Sequence, residues 1–234
     1  MTTTNTAIRM GSIRTAMTDP ALLRLLTWLS PAFPTGAFAY SHGLEWAVEA
    51  ADVTDRDSFC EWLRDVLRHG AGRNDAIILR HAHRAAGDPG ALEELAALAA
   101  ATAPGRERQG ESLGQGNAFL LAAGPWRGNL MAGLEQVPYP VALGALAGRA
   151  AIAEDDAALG FLQAFAGNLV SAAVRLVPLG QTAGLAVLAA LESDLLAVAE
   201  STRGATLDAL GGACFRADIA AMRHETQYTR LFRS

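Results

Sequence analysis

No lysine occurs anywhere in this 234-residue chain; all 19 basic residues are arginines. That absence excludes a Walker A phosphate loop, a Schiff-base lysine and a carbamylated lysine together, because each depends on the amine. Cysteine is nearly missing as well. Cys60 and Cys214 stand far apart, which argues against a disulfide framework, fits a reducing compartment and leaves both thiols as small core hydrophobes. Charged residues make up only 18% of the chain, below the roughly 25% usual for a soluble domain. With 51% hydrophobic residues, bulk disorder is excluded. A formal charge of −5 argues against nucleic acid as the main partner, since affinity there comes from neutralising phosphates. Residues 1–18 are Thr-rich and lack an apolar h-region, so they read as a disordered tail instead of a signal peptide. The uncharged stretch Leu176 to Leu191 is interrupted by Pro178, Gly180, Gln181 and Gly184, which argues against a membrane-spanning helix and for a cytoplasmic protein.

Alanine and leucine are plentiful instead, at about a third of all residues, and apolar spacings of three and four predict an all-α, single-domain bundle of about ten helices. Asp19 with Pro20 and Asp88 with Pro89 are N-cap and first-position pairs that open helices to Ser30 and to about Thr102. In the first, Leu22, Leu25, Leu26 and Leu29 share the face expected to be buried. Pro31 to Ala37 is a loop, and Tyr40 to Ala50 resumes as a short helix. Thr54 is the expected cap of a helix to His69, and Asn74 or Asp75 the start of the next. Further helices are expected over 106–123, between Pro125 and Pro138, over 141–153, over 157–177 capped by Asp155 or Asp156, over 182–201, and over 206–222. Phe161, Leu162, Phe165, Leu169 and Ala173 form one buried stripe. Gly110 and Gly114 stand four apart, a spacing that lets another backbone come close.

Catalytic signatures are scarce. His81 and His83 lie two apart on a helix, about 200° around its axis, so they cannot chelate one ion. No HEXXH, CXXC, GXSXG or strand-borne GXGXXG is present, which leaves no metal, cofactor or nucleophile site to assign. His42 and Glu45, three apart on a helix, are the one imidazole and carboxylate pair from which a small helical enzyme could be built.

Two stretches are unusual. Ser30 to Ala50, SPAFPTGAFAYSHGLEWAVEA, concentrates Phe33, Phe38, Tyr40 and Trp46 around an irregular backbone. Residues 223–234, RHETQYTRLFRS, combine arginines with Tyr228 and Phe232, a composition favoured at buried protein contacts. Together with RERQGESLGQG from Arg106 to Gly116, LVSAAVRLVPLGQTAGL from Leu169 to Leu185 and the opening LLRLLTWLSPAFPTGAFAYSHGLE, these stretches resemble the urease accessory protein family UreF over essentially residues 20 to 234. The resemblance implies a helical, homodimeric, non-enzymatic scaffold that joins the accessory protein UreD (UreH) and recruits the GTPase UreG to deliver nickel to apo-urease. It also implies a domain over 19–222 followed by a tail, 223–234, that orders against UreD. The partner-binding residues it points to are Arg223, His224, Glu225, Tyr228, Arg230, Leu231 and Phe232, with Tyr40, Ser41, His42 and Glu45 near the assembly surfaces. Arginines of the tail and of Arg106 to Arg108 could also stimulate a GTPase.

Overall fold

The computed structural model describes residues 19–234; the tail assigned to residues 1–18 lies outside them. Among the described residues all regular structure is helical, as the composition predicts. In chain order the helices are α1 (Pro20–Trp28), α2 (Leu44–Glu49), α3 (Arg56–His69), α4 (Ala71–Arg84), α5 (Pro89–Ala101), α6 (Arg106–Ala122), α7 (Gly124–Arg127), α8 (Tyr139–Arg149), α9 (Glu154–Leu176), α10 (Gln181–Ala190), α11 (Glu192–Ser201) and α12 (Phe215–His224). Single 3₁₀ turns lie at Ala37–Ala39 and Leu207–Ala209.

Local capping chemistry sets several of these boundaries. The Asp19 and Asp88 carboxylates accept the amides of Ala21 and of Gly90 and Ala91. The cap of α3 is Asp55 instead of Thr54: its carboxylate accepts the Ser58 amide while the Ser58 hydroxyl receives the Asp55 amide, a reciprocal capping box. Asp55→Ala is therefore expected to lower stability by about 1 kcal/mol, read from the denaturation midpoint.

The centre of the bundle is α8, whose residues Pro140 to Ala147 are all buried. Small residues let it touch its neighbours backbone to backbone. A Cβ on Gly144 would lie 2.2 Å from the Leu79 carbonyl oxygen of α4, and one on Gly116 of α6 would lie 1.9 Å from that of Val137, just before α8. The close approach expected at Gly110 and Gly114 is not found there. Gly110 faces open space and Gly114 faces the Tyr40 hydroxyl. Helix α4 begins at Ala71, only one residue after α3 ends, so Asn74 and Asp75 lie inside it.

The stripe on α9 is buried as expected apart from a partly exposed Phe165. The helix is long and apolar enough to span a membrane, but half of that stretch packs inside the bundle. Its cap is Ala153, while Glu154 and Asp155 pair with Arg80, whose guanidinium is buried between them at 2.8 Å from each. Residues 182–201 form two helices bent by 42°, not one. The last helix begins only at Phe215, Thr206 instead preceding a 3₁₀ turn, and it runs through His224. On α1, Leu25 and Trp28 are buried, whereas Leu22 and Leu26 are exposed. The two histidines of α4 hold backbone, His81 bonding to the Ala205 carbonyl at 2.9 Å and His83 to that of Ile152 at 2.8 Å. Burial pushes the Cys214 thiol up to about 11, consistent with an unreactive core position.

Candidate functional site: a polar knot around Glu45 and His224

The segment before α2 is irregular for a packing reason. Gly43 has φ +77, and a Cβ there would lie 2.6 Å from the Ala221 amide nitrogen, so only glycine allows α2 to lie this close to α12. His42 also has positive φ, at 61. Its ring ends a run of aromatic contacts from Trp28 through Phe119, Tyr139, Phe161 and Phe165. Burial, reinforced by the positive charge of Arg108 and opposed by Glu111, pulls the His42 imidazole down to about 4. Its Nδ1 stands 3.7 Å from Glu111, too far for a hydrogen bond.

Glu45 does not pair with His42. It turns to the far end of the chain, where Oε1 accepts the Leu231 amide at 2.7 Å and Oε2 accepts the Phe232 amide at 2.9 Å. Oε2 also faces Nε2 of His224 at 3.1 Å. On the other side of that fully buried ring, Nδ1 meets Oε2 of Glu107 at 2.6 Å, and the second oxygen of Glu107 receives Nη1 of Arg230 at 2.7 Å. Glu225 supplies what Gly105, as the residue before α6, lacks: its carboxylate accepts the Arg106 amide at 2.8 Å and the Glu107 amide at 3.3 Å, capping the positive end of that helix.

The final residues close the arrangement. The Ser234 carbonyl accepts both the amide of Ser41, at 2.6 Å, and its hydroxyl, at 2.5 Å. The Ser234 hydroxyl donates to Glu111 at 2.7 Å, and the Arg233 amide donates to the Ala39 carbonyl at 2.8 Å. Although burial pushes its acidity the other way, the positive charge of Arg108, helped by neighbouring His42 and less by the Ser234 hydroxyl, holds Glu111 down to about 2, so it stays an anion. Arg175 of α9 lies between the rings of Phe38 and Phe232, at 3.7 and 4.2 Å from their centroids, and donates to the Phe38 carbonyl. Gln227 reaches Glu49 at 2.5 Å.

Of the residues singled out in the sequence, Ser41, His42, Glu45, His224 and Phe232 are thus buried within the chain itself. Tyr40 and Glu225 are half-buried, and Arg223, Tyr228, Arg230 and Leu231 stand in solvent. The segment 225–234 lies ordered on α2 and α6. Glu107, Glu111, Arg175 and Ser234 were not singled out as site residues, although all four fall within the stretches that carry the family resemblance.

Beside the knot is a cavity of about 250 Å³, lined among others by His42, Asn74, Asp75, Arg108, Ser112 and Asp218. Burial pushes Asp75 up to about 7, partly countered by Arg108. Among the described residues no cluster of three or more His, Cys, Asp or Glu converges to hold a metal.

Over its described residues the architecture is all-helical, with a polar centre that ties residues 38–49 and the start of α6 to residues 224–234. The UreF family model matches residues 53–192. The urease accessory protein UreF of Methylobacterium sp. (strain 4-46) is 54% identical over 221 residues, covering 91% of this chain and 88% of that one. The proteins of the same name from Bradyrhizobium sp. strains BTAi1 and ORS 278 are 49% and 50% identical, covering 98% and 99% of this chain and 100% of their own. The chain belongs to the UreF family of urease accessory proteins.

Proposed function

We propose that this chain is a cytoplasmic, homodimeric, non-catalytic adaptor that bridges UreD (UreH) and the GTPase UreG, so that nickel reaches apo-urease. One observation carries the reading. The segment 225–234 is held mainly through its backbone amides and through buried His224 and Phe232, which leaves the Tyr228 and Leu231 side chains exposed, while exposed Phe38 shares Arg175 with Phe232. Aromatic and aliphatic groups presented on an ordered rim, with arginines beside them, are the composition of a protein-binding surface. Arg223, Tyr228, Arg230 and Leu231 are the direct partner contacts in this reading. Tyr40, Ser41, His42, Glu45, His224, Glu225 and Phe232 act by shaping the surface that presents them. The rival reading, an enzyme built on His42 and Glu45, has no support in the geometry, because the two side chains face different partners.

The test is a double variant, Tyr228→Ala with Leu231→Asp, in the full chain. Affinity for purified UreD is expected to fall at least tenfold, with helicity and thermal midpoint unchanged because neither side chain is buried. Full retention of UreD binding would reject the assignment of this surface, and sedimentation of the free chain as a monomer would reject the dimer.

A further inference from the structure

The cavity beside the knot is lined by polar groups that the rest of the protein leaves unmatched. Arg108, only 7% exposed, is ion-paired with Glu111 through Nη1, yet its Nε–H has no hydrogen-bond acceptor among the described residues. Buried donors almost always find a partner, because giving up water without a replacement is costly. Gly70 and Ala71, where α4 begins, line the same space. As the N-cap of α4, Gly70 offers no side-chain acceptor to the first amides, so the positive end of that helix is open to an oxyanion.

Two acids face the cavity as well. Asp75, in the second turn of α4, and Asp218, on α12, have no side-chain hydrogen bond or ion pair among the described residues. Burial pushes Asp75 up to about 7 and raises Asp218, and in both cases the opposing pull is the charge of Arg108. The three groups therefore lie within electrostatic reach of one another. Because Arg108 is already matched by Glu111, the two carboxyls are in excess. The rest of the wall is largely apolar, with Val66, Ile78, Ala99 and Ala217.

These surroundings define what fits. A simple anion would meet Asp75 and Asp218, and a simple cation would leave the Arg108 donor as it is. Among the described residues no three His, Cys, Asp or Glu side chains converge, so the pair of acids suits an ammonium group better than a metal ion. We propose that the cavity is a binding site for a small free α-amino acid. Its carboxylate accepts from Arg108 Nε and the first turn of α4, its ammonium donates to Asp75 and Asp218, and its side chain lies against Val66 and Ile78. A volume of about 250 Å³ is well above the roughly 30 Å³ share of one water molecule, which leaves room for an aliphatic side chain. The site stands or falls independently of which partner uses the exposed rim.

Calorimetric titration of the full chain with L-valine reads the site, with acetate and methylammonium as the two half-ligands. Valine is expected to bind one to one and at least tenfold more tightly than either half, since joining the two groups makes the second contact intramolecular. Asp75→Asn and Asp218→Asn keep the side-chain shape and remove a charge. Each should weaken valine at least tenfold without lowering the thermal midpoint of the free chain. Arg108→Lys keeps the charge opposite Glu111 but removes the Nε–H, so it should weaken valine and acetate while sparing methylammonium. In the parent chain the Arg108 Nε–H resonance should shift as valine is added. Absence of valine binding at millimolar concentrations, equal binding of either half-ligand, or full affinity in both Asn variants would overturn the amino-acid site. So would tight binding of a divalent metal, added alone, that the same Asn variants abolish.

Discussion

Replacing Glu45 with alanine should free residues 225–234 from the body of the protein and destabilise the chain by about 3–5 kcal/mol, the cost of leaving several hydrogen-bonding groups without their acceptor at once. One carboxylate receives two consecutive backbone amides and one face of the His224 ring. Its removal therefore leaves two backbone amides without an acceptor and strips one face of the buried His224 ring of its partner in a single step. Hydrogen bonds to charged groups contribute more than neutral ones, about 1.5–3 kcal/mol each, and here they converge on two oxygens. For a chain of this size a loss of that order corresponds to a thermal midpoint lower by about 10 °C. Trypsin should in addition cut at Arg223, Arg230 and Arg233 well before it reaches the core. A Glu45→Ala protein that resists cleavage in this segment as the parent does would show that the arginine and aromatic contacts suffice. Arg175→Ala, which removes the guanidinium between Phe38 and Phe232, would then be the next variant to measure.

The second large effect is expected at a residue with no functional group. Gly116→Ala would place a methyl 1.9 Å from the Val137 carbonyl oxygen and 2.8 Å from backbone atoms of Pro138 and Tyr139. These neighbours are main chain leading into the fully packed helix α8, and none can swing aside. The α6 to α8 contact would have to open, and destabilisation above about 4 kcal/mol is expected, the range reached only when packing is forced apart. Gly110→Ala, two turns earlier on the same helix, meets nothing within 4 Å and should stabilise the chain by about 0.5–1 kcal/mol through helix propensity. Urea denaturation of the two variants side by side checks both signs, and similar midpoints would contradict the packing described for α6.

The two glycines also show what the sequence could and could not reveal. Both sit in the same Gly-rich stretch, and spacing alone favoured the pair Gly110 and Gly114, whereas the close neighbour arrives at Gly116 from a loop about twenty residues away in the chain. Helix starts at Asp19 and Asp88 were legible because a cap is decided by three or four adjacent residues. The break at Leu191 was not legible, since no proline or glycine marks it and the bend arises within an Ala- and Leu-rich run. Asp155 looked like a cap because its real partner, Arg80, lies 75 residues earlier. The site follows the same rule. Glu45 and the terminal segment could each be picked out by composition and family resemblance, but their mutual pairing spans 179 to 187 positions, and local spacing suggested His42 as the nearer partner. Long-range ion pairs leave no periodic trace in a sequence.

That same span has a consequence for how the protein is made. Residues 39–45 leave the ribosome long before 224–234, so a nascent chain carries Ser41 and Glu45 without the groups that satisfy them, and these positions stay hydrated until residues 224–234 emerge. Long-range closure of this kind is a late step in folding. A translation product interrupted just before His224 would hold most of the bundle yet lack the finished rim, so display of that surface waits on residues 224–234.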